Sequence, residues 1–167
     1  MDATFVEAPR QRNTPDERKD IKNGKVPEEW KKPENANKLR QKDTDARWTR
    51  KAGQLHYGYK NHIKADKDSK LIVDYETTSA SVHDSQVIGD LIDENDQVLY
   101  ADSAYWGSTV ASKLPEHVEN QIQVRGTKHI TITPEQREEN RIKSKTRIRA
   151  EHVFGFITNS MHSQNLR

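Results

Sequence analysis

Apolar residues in this chain come in short runs separated by long charged stretches, and the spacing inside each run predicts the element it forms. Asp2-Ala3-Thr4-Phe5-Val6 is short and apolar enough to be the end of a strand. Over residues 7–50 the pattern disappears. Pro, Asn, Lys, Arg, Asp and Glu dominate there, with Trp30 and Trp48 as the large aromatics, so the stretch reads as a long, mostly irregular excursion with one short helix over 15–22. Order returns at His56. Residues 56–65 and 70–78 read as two strands joined by the turn Asp66-Lys67-Asp68-Ser69, with Leu71, Val73, Tyr75 and Thr77 alternating with Ile72, Asp74 and Glu76. A period of two on both sides of a polar turn predicts a hairpin.

Beyond it, Asp84 is placed to cap a helix whose stripe Val87, Ile88, Leu91 and Ile92 has the helical period and should pack on the sheet. Residues 98–101 form the next predicted strand, 108–114 a short helix stopped before Pro115, and 121–125 a final strand. Thr133-Pro134-Glu135-Gln136 has the chemistry of an N-cap and first turn, opening a helical region to about residue 160. Strands alternating with helices in this order predict an α/β fold, a mixed sheet flanked by helices.

Composition narrows the function classes. At 167 residues the chain has the length of one domain, and with 31% hydrophobic against 32% charged residues its core must be small. It has no cysteine, which excludes a disulfide framework and a thiolate metal site and points to a reducing cytoplasm. No long apolar run or signal-like start appears, so a soluble, cytoplasmic protein without a membrane partner is expected. Net charge is only +2, yet residues 66–120 carry three Lys or Arg against twelve Asp or Glu, and residues 121–167 nine against four. Such asymmetry fits a solvated surface with internal pairing; it also fits a metal-dependent nuclease, where acids hold cations and nearby bases hold phosphates.

The candidate chemistry is carried by three acids. Asp102 ends the apolar run Val98-Leu99-Tyr100-Ala101, which puts a carboxylate at the mouth of a strand. Standing alone, it would be a turn or helix cap. Asp2 and Glu151 change the reading, because three scattered carboxylates that a fold brings together suit Mg²⁺-dependent phosphodiester chemistry, in which hard cations take oxygen ligands. Glu151 lies in a basic helical segment with Arg141, Lys143, Lys145, Arg147 and Arg149, readable as a solvated helix face or as a stripe that holds DNA phosphates. His83-Asp84 reads as a helix-start cap, and His56, His62 and His152 as packing or surface residues, since no zinc-site spacing is present.

These residues resemble the DDE transposases of bacterial insertion sequences, within them the insertion sequence five group. Asp2-Ala3-Thr4 with Glu7-Ala8-Pro9-Arg10-Gln11 resembles the first-aspartate block. Gln41 to Trp48 followed by Tyr57-Gly58-Tyr59-Lys60-Asn61-His62 resembles the second-strand region. Ser81-Val82-His83-Asp84-Ser85, Ala101-Asp102-Ser103-Ala104-Tyr105 and residues 147–155 complete the series in the family's order. The resemblance implies a ribonuclease H-like fold in which the first strand lies beside the fourth, so that Asp2 and Asp102 converge and Glu151 joins them from the last helix. Asp2, Asp102 and Glu151 would be the catalytic and metal-binding trio, close enough to share one or two cations, which lie roughly 4 Å apart in two-metal sites.

The resemblance also implies Mg²⁺ as cofactor with Mn²⁺ as a substitute, and double-stranded DNA, both element ends and target, as partner. The expected reaction is strand cleavage that frees a 3′-hydroxyl, followed by attack of that hydroxyl on target DNA. A homodimer is one arrangement it allows. Around the glutamate the family carries a Tyr seven residues before, an Arg four before and a Lys seven after; here these positions are Ser144, Arg147 and Thr158. Only Arg147 is kept, to hold a phosphate or steady the carboxylate.

In the family a strand and an amino-terminal DNA-gripping region precede the first aspartate, and helix continues beyond the glutamate, so the chain is expected to be truncated at both ends. Three readings compete. The first is a transposase catalytic domain over 1–167, with 7–50 as a long irregular basic insertion. The second is an inactive transposase remnant that at most binds DNA. The third is a free-standing ribonuclease H-like nuclease of host repair, against which the insertion-sequence blocks argue.

Overall fold

A computed structural model describes residues 1–161 and 165–166. Strand β1 (Asp2–Glu7) is followed by helices α1 (Pro15–Lys22), α2 (Glu28–Lys31) and α3 (Ala36–Gln41). Helix α1 lies where the sequence placed it, because Thr14 and Glu17 form a reciprocal capping box and Pro15 starts the first turn. The rest of the stretch expected to be irregular is corrected by α2, α3 and a 3-10 turn at Pro33–Asn35. These helices are too short to show a period. They are ordered by Trp30, fully buried, whose Nε1 donates to Glu17 Oε1 at 2.7 Å, while Lys38 Nζ donates to the same oxygen at 2.6 Å. That Lys38 bond holds the Glu17 carboxyl down at about 2.

Strand β2 (Arg47–Lys51) pairs antiparallel with β3 (Gln54–Ala65), with Trp48 opposite Tyr57. The sequence reading missed β2. Its turn, Ala52-Gly53, has φ of 49° and 83°, the left-handed pair a tight hairpin needs, but Ala is an unusual residue there. The hairpin of β3 with β4 (Ile72–Ser79) forms as expected, closed by Asp66 N–H donating to Leu71 O at 2.9 Å. The sheet runs β1-β3-β2, with β4 also pairing with β3.

Helix α4 (Asp84–Leu91) carries the expected stripe: Val87, Ile88 and Leu91 are buried. Its cap is His83, not Asp84. The His83 backbone is extended and its Nδ1 accepts from Ser85 N–H at 3.2 Å, which leaves Asp84 as the first helical residue, buried. Strand β5 (Val98–Leu99) and helix α5 (Ser108–Ala111) are shorter than predicted. Strand β6 (Glu119–Asn120) runs parallel to β5 in a second, two-stranded sheet. The strand expected over 121–125 is mostly unladdered backbone, yet Gln121 N–H and Gln123 N–H still donate to Leu99 O at 2.9 Å and Ala101 O at 3.1 Å. Helix α6 (Pro134–Gly155), with a Thr133/Gln136 capping box, continues into a π-helical turn at Phe156–Ser160.

One implied neighbour relation is overturned: β1 pairs with β3, and β5 pairs with β6 rather than with β1. A ladder needs successive paired residues, whereas here the Met1 ammonium, just before β1, donates to Tyr100 O, just after β5, at 2.6 Å.

Contacts divide the chain into two units. The first comprises Met1–Thr4, Asn61–Thr78 and the chain from Val82 to Met161. Its main core joins the α4 stripe to Leu99, Ala101, Tyr105, Val110, Val118 and Ile122, and a smaller one seats Ala150 and Phe154 of α6 on Ile63 of β3. The second comprises Phe5–Lys60 and Ser79–Ser81, with Ala8, Ala46 and Tyr57 buried together. Gly58, at φ +145°, holds this second core tight: a Cβ there would fall 2.2 Å from Val6 O and 2.7 Å from Ala8 N. Gly58→Ala should therefore destabilise the protein by about 3 kcal/mol or more, read as a lowered denaturant midpoint.

Candidate active site

All of the predicted acids belong to the first unit. Asp2 is the first residue of β1, and its Oδ1 accepts from Ala3 N–H at 2.9 Å. Asp102 caps the 3-10 turn Ser103–Tyr105, its Oδ1 accepting from Ser103 N–H at 2.6 Å. The capping role foreseen for a lone acid is thus real, and it occupies one carboxylate oxygen. Glu151 lies on the exposed side of α6.

Arg147 draws two of these acids together. One turn before Glu151, its Nη2 lies 2.6 Å from Glu151 Oε1, and its Nη1 donates to Asp2 Oδ2 at 3.2 Å. The Asp2 and Arg147 side chains are only 15% and 16% exposed, so this is a shielded ion pair. Arg147 Nε is buried with no hydrogen-bond partner among the described residues.

Burial raises the pKa of Asp2; its bond from Ala3 and the Arg147 charge pull the other way, and Glu151 adds to the rise. Because the folded value lies above the unfolded one, Asp2 adds stability at pH below the unfolded value. That stability is lost as pH rises through the folded value. Asp2→Asn should accordingly melt higher than the wild type near pH 7, with the gain vanishing toward about pH 4, the ordinary carboxylate range. Equal melting temperatures at both pH values would contradict this.

Asp102 is tied to the same neighbourhood through Tyr105. That side chain is 1% exposed, and its hydroxyl has no hydrogen-bond partner among the described residues. Burial drives its pKa upward, and the charges of Asp84, Asp2 and Asp102 drive it further. Sequence reasoning set Asp84 aside as a cap; the structure makes it a buried acid whose field reaches this phenol. Its signal was already visible in the block Ser81-Val82-His83-Asp84-Ser85.

The basic stripe does not survive as one surface. Residues two apart share a face on a strand, whereas on a helix they lie on different sides. Arg141, Lys145 and Arg149 follow one side of α6, and Lys143 and Arg147 another. Arg141 forks onto Glu138 at 2.8 and 2.6 Å, Arg149 donates to Lys67 O, and Lys143 reaches Ile122 O at 3.4 Å. The positions where the resembling family has Tyr and Lys also have local partners. Ser144 Oγ accepts from Gln123 Nε2 at 2.5 Å, and Thr158 Oγ1 donates to Phe154 O at 2.8 Å.

Among the described residues no group of three or more His, Asp or Glu side chains is spaced to hold a metal ion, and Arg147 supplies the positive charge between Asp2 and Glu151. The donor chemistry nevertheless fits a hard divalent cation. The acids offer oxygen only, the donor a hard divalent cation takes, and burial disfavours the charged form of Asp2. Among the described residues no helix is long and apolar enough to cross a membrane.

No solved structure matches the chain. The family described as Transposase DDE domain matches it over residues 1–167, and the chain, a mixed α/β protein with acids from its two ends gathered on one arginine, belongs to that family.

Proposed function

We propose that this chain is the catalytic domain of an insertion-sequence transposase of the five-like group, with a ribonuclease H-like core. Its reaction is strand cleavage at the element's ends and transfer to target DNA. The observation that carries the reading is the Arg147 bridge between Asp2 and Glu151, which gathers acids from opposite ends of the sequence. Asp2, Asp102 and Glu151 would hold Mg²⁺, or Mn²⁺ in its place. When bound, the metal supplies charge stabilisation at the phosphate and a lowered pKa for the attacking hydroxyl.

The protein's own residues do the rest. Asp2 and Asp102 present oxygens fixed by backbone hydrogen bonds. Arg147, planar and always charged, gives up carboxylates for a DNA phosphate. Lys145 with Arg141 and Arg149 on one side of α6, and Lys143 on the other, add sequence-independent phosphate contacts. In this reading residues 1–167 act as one catalytic domain with 7–50 as a basic insertion, and the protein works in the cytoplasm with its DNA. A homodimer completes it, for which exposed Leu71 and β4 residues Val73 and Tyr75 offer an apolar surface.

The test is incubation of end-labelled DNA bearing the element's ends with the chain in Mg²⁺, Mn²⁺ or EDTA. A metal-dependent nick leaving a 3′-hydroxyl is expected. A second reading, an inactive remnant that only binds DNA, is favoured by the absence among the described residues of a ready three-acid metal cluster. It predicts binding that falls steeply with salt and no nick under any metal.

A further inference from the structure

Most α6 cations are engaged within the protein: Arg141, Lys143, Arg147 and Arg149 each donate to a carboxylate or a carbonyl. In the second unit, Arg10 and Arg50 are exposed and have no ion pair among the described residues. Residues 46–60 carry four Lys or Arg and no Asp or Glu. Two acids of the same unit already have partners, Glu7 held by His56 and Asp43 by the Tyr59 hydroxyl, each at 2.7 Å. Beside the two free arginines stands Trp48, a large ring that is 47% exposed. The β2–β3 ladder sets Trp48 opposite Tyr57 and Arg50 opposite Leu55, and residues two apart on a strand share a face, so all four lie on one face of the hairpin. Buried Tyr57 props the indole, with ring centroids 5.0 Å apart and planes tilted by 38°. The Arg10 guanidinium lies 5.4 Å from the indole centroid.

An arginine stacked on a tryptophan is ordinary packing when an acid neutralises it; here neither guanidinium is neutralised, and the ring they accompany is held from behind and open in front. A flat aromatic surface flanked by free cations suits a nucleic-acid strand, whose bases stack on the ring while its phosphates meet the cations. In a duplex each base has its faces covered by the neighbouring pairs, so only an unpaired base can use the indole. We propose that Trp48, Arg10 and Arg50 form a second DNA contact that takes an unpaired, single-stranded segment, with Trp48 stacking on a base and the arginines on the flanking phosphates. This rests on the reading of the chain as a protein that acts on DNA, and adds to it the structural class of DNA that the β2–β3 hairpin holds.

The experiment measures binding of the whole chain by fluorescence anisotropy to three end-labelled DNAs: an oligothymidylate of about 12 nucleotides, within the span of single-strand binders, an abasic strand of the same length, and a blunt duplex. The proteins are the wild type, Trp48→Ala, Trp48→Phe and the double variant Arg10→Gln/Arg50→Gln, each also melted so that binding is read below its transition. The wild type should bind the thymidylate about 10-fold tighter than the abasic strand, which keeps the phosphates and lacks the bases. Trp48→Ala should lose that preference and keep the abasic affinity, while Trp48→Phe, which retains a ring, keeps most of it. The double variant should bind both strands more weakly, with a salt slope lowered by about 1.4, about 0.7 for each phosphate contact on a single strand. Equal wild-type affinity for the thymidylate and abasic strands, or an unchanged preference in Trp48→Ala, would overturn the stacking surface, and retained duplex binding would then leave the DNA-acting reading standing. Failure of the wild type to bind any of the three DNAs would remove that reading, and the stacking surface with it.

Discussion

Replacing Arg147 with Gln should make the chain bind Mn²⁺ more tightly in the absence of DNA and bind DNA more weakly. Arg147 lies 2.6 Å from Glu151 and 3.2 Å from Asp2, in a setting where its own side chain is 16% exposed. A cation approaching these acids competes with a charge already in place. Removing that charge leaves a buried carboxylate uncompensated, which a divalent ion relieves. The expected gain is about 10-fold in Mn²⁺ affinity, a shift of about 1.4 kcal/mol. On the DNA side the loss of one phosphate contact should lower affinity similarly for all sequences and reduce the salt slope by about one. Since a guanidinium cannot serve two carboxylates and a phosphate together, DNA binding and metal loading should favour each other in the wild type, and by linkage reciprocally. Unchanged or weaker Mn²⁺ binding in Arg147→Gln would show that the arginine does not compete with the metal.

Asp102→Asn should abolish metal-dependent nicking while leaving folding and DNA affinity as they were. Asparagine keeps the oxygen that accepts from Ser103 N–H at 2.6 Å and is as good a cap as aspartate, so the turn at Ser103–Tyr105 survives. What disappears is the negative charge. A loss on the order of 10³-fold, the scale seen when one preorganised electrostatic group is removed, is expected in the nicking rate. Asp102→Ala, which also loses the cap, should fall by a further ~1 kcal/mol in stability. If Asp102→Asn nicks DNA at the wild-type rate, Asp102 is only a helix cap.

Elements with a strong period were legible in the sequence: the hairpin around Asp66, the stripe of Val87, Ile88 and Leu91, and the helix started by Thr133 and Gln136. Elements held by tertiary contacts were not. Helices α2 and α3 owe their order to buried Trp30 and its Glu17 partner, and β2 turns through Ala52, whose left-handed backbone no pattern announces. The acids themselves were visible because Asp2 opens an apolar run, Asp102 ends one and Glu151 interrupts a basic segment. What joins them was legible only in part: Arg147 was read as a member of the stripe and, four residues before Glu151, as a group to hold a phosphate or steady that carboxylate, but its bond to Asp2, 145 residues away in the chain, follows from no local spacing. Asp84 was read as a cap because it stands one residue after the true cap, His83.

The most direct test is anomalous diffraction from crystals of the chain with Mn²⁺ and a DNA end, which locates the cation without reference to activity. The account predicts a Mn²⁺ peak ligated by Asp2, Asp102 and Glu151, with the Arg147 guanidinium moved onto a phosphate. Asp102 and Glu151 on opposite faces of the sheet, or Mn²⁺ bound away from both, would contradict it.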